Sequence, residues 1–418
     1  MMSSNTRFQT LMSHHSIWTQ IDVSWPPDVL DLYLEKSDGR DVSLTIRMMD
    51  DPGNGGRVAR NQLYSESLKR CLPRAKHLHL CVGNRGCNLV FAKALDSYAP
   101  RLRTLRLELD DRVHVITSVF ALGAPLLENA FIRGPHPVGM HRFVTLRHLD
   151  MQLTKTHHDS VLPMLEAMPH LRYVSFGGEK SGEKMKTFKP KEKIIALPFC
   201  ESFSIRSMQI DFARKLINHL ELPSTARLDI ELQITNFDVA PPNQQLSVEL
   251  FILPPLLATN TLNIELLSDS VLLYSDGVPS HRFSIDWQSF RTSFASSTEE
   301  YRNQVLRRIM GCLIDSMTFC ITELALYKAA FSGDEEATAP GELEELCAFI
   351  YRECDSVEVL QLFGDILEPV KALRDLNFAE HLLDLEKLQL GVSALKDPIA
   401  KEILEEVAQR EGFVQEEV

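Results

Sequence analysis

The sequence predicts an α/β chain made of one short strand-plus-helix unit repeated many times, and three observations carry that fold class. An apolar frame, φ-x-x-φ-x-φ, returns every 19 to 29 residues over the first half of the chain. Proline stands five residues before the second apolar position in six of the first seven copies. Stretches of helical period fill intervals between the copies.

With the second apolar residue as a marker, the copies fall at Leu78, Leu105, Ala130, Leu149, Val174, Phe203, Leu228, Leu262, Phe283, Leu324, Leu360 and Leu388. The gaps are 27, 25, 19, 25, 29 and 25 residues up to Leu228, then 34, 21, 41, 36 and 28. Apolar residues make up 44% of the chain, so a lone match to the frame says little and the proline column decides. Its members are Pro73, Pro100, Pro125, Pro169, Pro198 and Pro223. Proline cannot continue a helix and biases its predecessor toward extended backbone, so it should mark where each unit leaves its helix for its strand.

Residues 159–168 place Val161, Leu162, Leu165 and Met168 on one helical face, and residues 112–122 do the same with Val113, Ile116 and Phe120. A short strand and a helix recurring at this period predict an irregular leucine-rich-repeat solenoid, a curved α/β horseshoe. Irregularity is expected because Gly83, Asp110, Pro135, Thr154 and Glu179 replace the Asn or Cys of the common pattern. Three late units also begin with Thr225, Thr259 and Ser280 where an apolar residue belongs.

Loops are expected at Gly177 to Lys193, Thr235 to Gln245 and Ser332 to Glu345. A capping box at Ser297 to Glu300 opens a helix carrying Val305, Ile309 and Leu313 inward. The last helix begins at Asp397-Pro398 and closes near Gly412, and over residues 396–418 it should form a helical C-terminal cap on the open end of residues 26–395.

Composition narrows the function. The longest apolar stretch, Leu246 to Ala258, is broken by Glu249, Pro254 and Pro255, so no membrane helix and no membrane partner are expected. The first residues lack an apolar secretory core, which predicts an intracellular protein. The eight cysteines form no C-x-x-C pair, and His77, His79, Cys81 and Cys87 read better as strand alternation than as ligands, so no metal is expected.

Net charge is −13, unevenly spread: residues 51–200 carry 23 basic against 13 acidic side chains, and residues 201–418 carry 17 against 37. An acidic chain without aromatic-basic clusters argues against nucleic acid. Glycine-rich phosphate loops, nucleophile elbows and H-E-x-x-H pairs are missing, and His14-His15, His157-His158 and the Asp51 to Gly56 turn have no companions. No catalytic residue, no cofactor and no enzymatic activity are therefore predicted.

In this frame the apolar positions face the core, and the residues between them project onto the concave surface. That column includes His79, Arg106, Phe131, Arg133, His148, Asp150 and Tyr173. Aromatic and arginine side chains there are the expected anchors for a protein partner.

The segment Ser16 to Val23, followed by Val29 to Ser37 and Val42 to Ile46, resembles the linker region of fungal F-box proteins. Ile17-Trp18 and Ile21 match its "P-x-L-W-x-x-I" stretch, and the proline units match the "P-x-L-R-x-L-x-L" repeats that follow. The resemblance implies the substrate-receptor part of a cullin-RING ubiquitin ligase. Its repeats would hold the protein to be ubiquitinated, and an F-box would bind a Skp-type adaptor. Residues 1–25 are expected to be only a remnant of the F-box tail and its linker, since an F-box needs about 40 to 50 residues of packed helix. A stand-alone binding scaffold without a ligase link is the alternative, and an enzyme on an unfamiliar solenoid a remote one.

Overall fold

Six times among the described residues of the first half of the chain a four-residue turn leads into a strand. The turns are Leu72–Ala75, Ala99–Leu102, Ala124–Leu127, Phe143–Leu146, Met168–Leu171 and Leu197–Cys200, each closed by the fourth N–H donating to the first carbonyl. Five of the six have proline at the second position, where a β-turn requires the φ that the pyrrolidine ring imposes. Five of the column's six prolines thus mark a β-turn, and in all six turns both ends are buried at 4% exposure or less.

The computed structural model describes residues 14–48, 57–83, 89–110, 118–134, 140–153, 158–178, 194–233, 260–266, 270–275, 281–286, 321–328, 342–354, 356–377, 380–391, 398–411 and 414–417. It is mixed α/β, with large parallel sheet and eight α-helices among the described residues. The chain divides into two compact units, the first mainly residues 1–202 and the second mainly residues 203–418.

In the first unit the strands are β1 (Gln20–Asp22), β2 (Val42–Met48), β3 (Ala75–Val82), β4 (Thr104–Leu109), β5 (Asn129–Arg133), β6 (His148–Gln152) and β7 (Tyr173–Gly177). They pair in chain order and in parallel throughout. Parallel neighbours need a crossover, supplied in part by α2 (Arg57–Cys71), α3 (Leu89–Leu95) and α4 (His158–Glu166), after α1 (Pro27–Lys36). β8 (Ile195–Ala196) pairs with β10 (Leu220–Glu221) in a separate two-stranded sheet.

Markers Leu78, Leu105, Ala130, Leu149 and Val174 are direct Cα partners across β3 to β7 and are buried to 2% or less. Two residues before each marker a backbone ladder runs unit to unit: Arg103 N–H to Lys76, Glu128 to Arg103, Arg147 to Glu128, Arg172 to Arg147 and Glu201 to Arg172, at 2.7–3.0 Å. These bonds fix the register before the strands begin.

The segment resembling an F-box linker joins this sheet. Ile21 in β1 is 2% exposed and pairs with Leu44, and Trp18 and Trp25 pack on Tyr33 of α1. The guanidinium of Arg74 donates to the Leu34 and Arg40 carbonyls and to Ser37 Oγ, capping the negative end of α1.

The second unit holds β9 (Ser202–Gln209), β11 (Arg227–Gln233), β12 (Thr261–Leu266), β13 (Ser270–Tyr274), β14 (Arg282–Asp286), β15 (Glu323–Lys328), β16 (Val359–Gly364), β17 (Lys387–Leu390) and β18 (Val414–Glu417). Its helices are α5 (Ile210–Ile217), α6 (Glu342–Glu353), α7 (Leu367–Arg374) and α8 (Pro398–Glu411). Spatial order departs from chain order here: β11 neighbours β14, then come β13, β12 and β15.

The expected simple succession from Leu228 to Leu262 to Phe283 is therefore corrected. The links from β12 to β13 and from β13 to β14 are too short for a parallel crossover, so these strands form antiparallel hairpins. Regular parallel order resumes at β12, where Leu262, Leu324, Leu360 and Leu388 are Cα partners.

Three further expectations change. Residues 118–122 of the expected 112–122 helix are not helical, because Phe120 takes a φ of 50° and is buried at 1%; residues 111–117 lie outside the described residues. In the unit beginning at Thr225 the buried slot moves to Ala226, at 2% exposure, while Thr225 is exposed. The expected final helix spans Pro398–Glu411, but β18 follows it and pairs in parallel with β17, so a strand is the last described element. The helix expected from Ser297 and the loop at Thr235 to Gln245 lie outside the described residues.

Candidate functional site

Alternation within β2 to β7 sorts each strand into two faces. Leu78, Leu80, Leu105, Leu107, Ala130, Ile132, Leu149 and Met151 are buried, and the residues between them are half-buried or exposed. Parallel pairing then turns separate strand positions into transverse rows.

One row runs Thr45, His79, Arg106, Phe131, Asp150 and Ser175. A second runs Ser43, His77, Thr104, Asn129, His148 and Tyr173. A third runs Arg47, Cys81, Glu108 and Arg133. All seven residues expected on the recognition column, His79, Arg106, Phe131, Arg133, His148, Asp150 and Tyr173, lie on this outward face.

The face has two chemistries. Over β5 to β7 the rings of Phe131 and His148 stand 5.0 Å apart, and those of His148 and Tyr173 5.7 Å. Tyr173 is 44% exposed, and its hydroxyl donates to Glu201, which also pairs with Arg172 at 3.0 Å. That hydrogen bond, with the negative charge of Glu201, raises the phenol's pKa and fixes the ring.

Over β2 to β5 the chemistry is ionic. Arg106 donates from Nε to Glu108 at 2.7 Å, two residues along the same strand, and its terminal nitrogen lies 2.6 Å from the same oxygen. Burial pushes the Glu108 carboxyl up, but Arg106, His79 and Arg133 outweigh it and hold the pKa below the usual carboxylate value. His79 Nε2 is 3.6 Å from Glu108, outside direct hydrogen-bond reach. Burial, with Glu108 behind it, raises the Cys81 thiol, and burial with Lys76 lowers His77.

Arginine favours the ionised form of the central carboxylate, and burial favours the protonated form of the neighbouring thiol. Among the described residues no three His, Cys, Asp or Glu side chains converge as a metal site. Among them, too, no helix is long and apolar enough to cross a membrane.

Comparison with known protein families finds no match, and no curated protein matches the sequence. The site therefore rests on its own geometry.

Sequence reasoning missed Arg47, Arg172 and Glu201. Arg47 escaped because Asp41 stands where the frame requires an apolar residue; the register shifts there, and Val42 pairs with Ala75 instead. Arg172 and Glu201 belong to the ladder position two before each marker, a column of Lys76, Arg103, Glu128, Arg147, Arg172 and Glu201 that is legible once the markers are aligned.

Proposed function

We propose that this chain is a non-catalytic protein-recognition module, an irregular leucine-rich-repeat solenoid of the kind that serves as the substrate receptor of an F-box protein. The observation that supports it most is the in-register alignment of β3 to β7, which gathers residues from five units onto one outward face. Aromatic and arginine side chains grouped on a rigid sheet are the usual energetic centre of a protein interface. The F-box connection rests on the resemblance of residues 16–46 and the proline units, and it makes a Skp-type adaptor and a cullin the expected companions. In that setting the protein works inside the cell.

The test is affinity capture from the protein's own cell extract, read by mass spectrometry, with wild type beside Arg106→Glu and Tyr173→Ala. Both replaced side chains are exposed, so the variants should fold. The proposal expects a set of proteins lost from both variants, with adaptor and cullin retained if the ligase link holds. Capture of proteins other than adaptor and cullin, still sensitive to the variants, would make the chain a stand-alone binding scaffold. Capture unaffected by either variant would remove this face from consideration.

A further inference from the structure

The third outward row carries a charge imbalance that the recognition reading does not itself explain. Arg47 on β2 and Arg133 on β5 are both exposed, and among the described residues neither side chain makes a hydrogen bond or ion pair. Between them lie Cys81 and Glu108, and the Glu108 carboxylate is already engaged by Arg106. The row and its neighbour Arg106 thus present three guanidinium groups against one carboxylate, and residues 51–200, which hold all of these groups but Arg47, carry ten more basic than acidic side chains. Asp110, two residues past Glu108 and just beyond β4, and Asp150 on β6 are the neighbouring acids.

The two unpaired arginines are three strand spacings apart, about 14 Å, and an extended polypeptide covers that distance in about four residues. Resting on the recognition reading, we propose that this row takes an acidic polypeptide segment lying across the strands, with two carboxylate side chains about four residues apart. Exposed guanidinium groups bind carboxylates bidentately and repel basic segments, which gives selectivity as well as attraction. The ring group Phe131, His148 and Tyr173 lies on the same face in the two neighbouring rows, beginning two residues before Arg133 on β5, within reach of an apolar side chain of the segment. A nucleic acid fits less well, because Glu108 and Asp150 face it and the chain as a whole carries −13.

The experiment is selection of a displayed random dodecapeptide library on the immobilised full chain, with an Arg47→Glu/Arg133→Glu double variant as counter-selection. The expected result is enrichment of peptides with Asp or Glu pairs four residues apart. A synthesised member should bind the wild type, lose about tenfold in affinity on the double variant and weaken as salt rises. An Arg47→Lys/Arg133→Lys double variant should retain most of the binding.

Enriched peptides without acidic pairs, lost on Tyr173→Ala, would overturn this inference and leave the recognition reading standing. No peptide that distinguishes wild type from either face variant would overturn both. Equal competition by a thymidine dodecanucleotide would also overturn it, in favour of a general polyanion site.

Discussion

The two units use the same backbone device with different side chains. Two residues before each marker, an N–H donates to the preceding unit's carbonyl through Arg103, Glu128, Arg147, Arg172 and Glu201 in the first unit. In the second unit Thr322 donates to Asn260, Glu358 to Thr322 and Glu386 to Glu358. The first column is mostly basic, and the second has no basic residue. A backbone ladder constrains no side chain, so the position is free to carry whatever charge the surface needs.

The units also differ in order. Proline-led turns precede β3, β4, β5 and β7 in a strictly sequential parallel array, whereas β12, β13 and β14 fold back as hairpins. On the outward side the first unit presents Arg106, Phe131 and Arg133; the second presents Glu265 and Tyr327, with Tyr327 stacked on Phe363 at 4.6 Å.

If the marker columns are equivalent cores, Leu149→Ala and Leu360→Ala should each cost about 2–5 kcal/mol in denaturant unfolding, since both are 0% exposed. A large cost in one unit alone would break the equivalence.

A sharper contrast comes from two glycines. Gly134 closes β5 at a φ of +85°, and a Cβ there would lie 1.9 Å from the Leu109 carbonyl oxygen. Gly134→Ala should cost on the order of 3 kcal/mol by thermal unfolding, because backbone must move. A Cβ at Gly391 would meet the Phe363 ring at 2.7 Å, and a ring can turn aside, so Gly391→Ala should cost less.

In the second unit the Tyr351 hydroxyl, fully buried, donates to the Pro369 carbonyl at 3.2 Å, and burial holds its phenol far above the usual range. Tyr351→Phe removes that hydrogen bond and should cost about 1 kcal/mol in the same unfolding assay.

The pH response should separate the units. Burial lowers the pKa of His281, whose Nδ1 accepts from the Leu228 N–H at 3.3 Å. Its unfolded form takes a proton more readily than the folded one, so the stability it contributes is present above the ordinary histidine range and is lost as pH falls below 6.5. His77 in the first unit shifts the same way but is exposed, and solvent screening weakens its share. The lowered Glu108 contributes above the carboxylate range and is lost only as pH falls below 4.5. Peptide-resolved hydrogen exchange between pH 7 and 5 should therefore show β11 and β14 losing protection before β3 to β5. The smallest effect belongs to Arg103→Ala, which removes a surface pair with Glu128 at 3.2 Å worth under about 1 kcal/mol.

Much of this was legible in the sequence where apolar side chains carry the information. All twelve markers are strand residues buried at 5% exposure or less, and five of the six column prolines sit in β-turns leading into strands, with a helix ending just before the turn at Pro73 and Pro169. What escaped depends on connection length and register. Ser270 to Tyr274 forms β13 without matching the frame, and only the short links on either side force the hairpins. The outward row was readable once alternation was accepted, but the Arg106–Glu108 pair and the Tyr173–Glu201 contact require knowing which side chains converge.

The central claim, that the outward face of β3 to β7 is where a partner binds, is tested most directly by hydroxyl-radical footprinting of the captured complex. The account predicts that Phe131, His148 and Tyr173 lose labelling on binding while Tyr327 and Phe363 keep theirs. Protection of Tyr327 and Phe363 with Phe131, His148 and Tyr173 unchanged would contradict it.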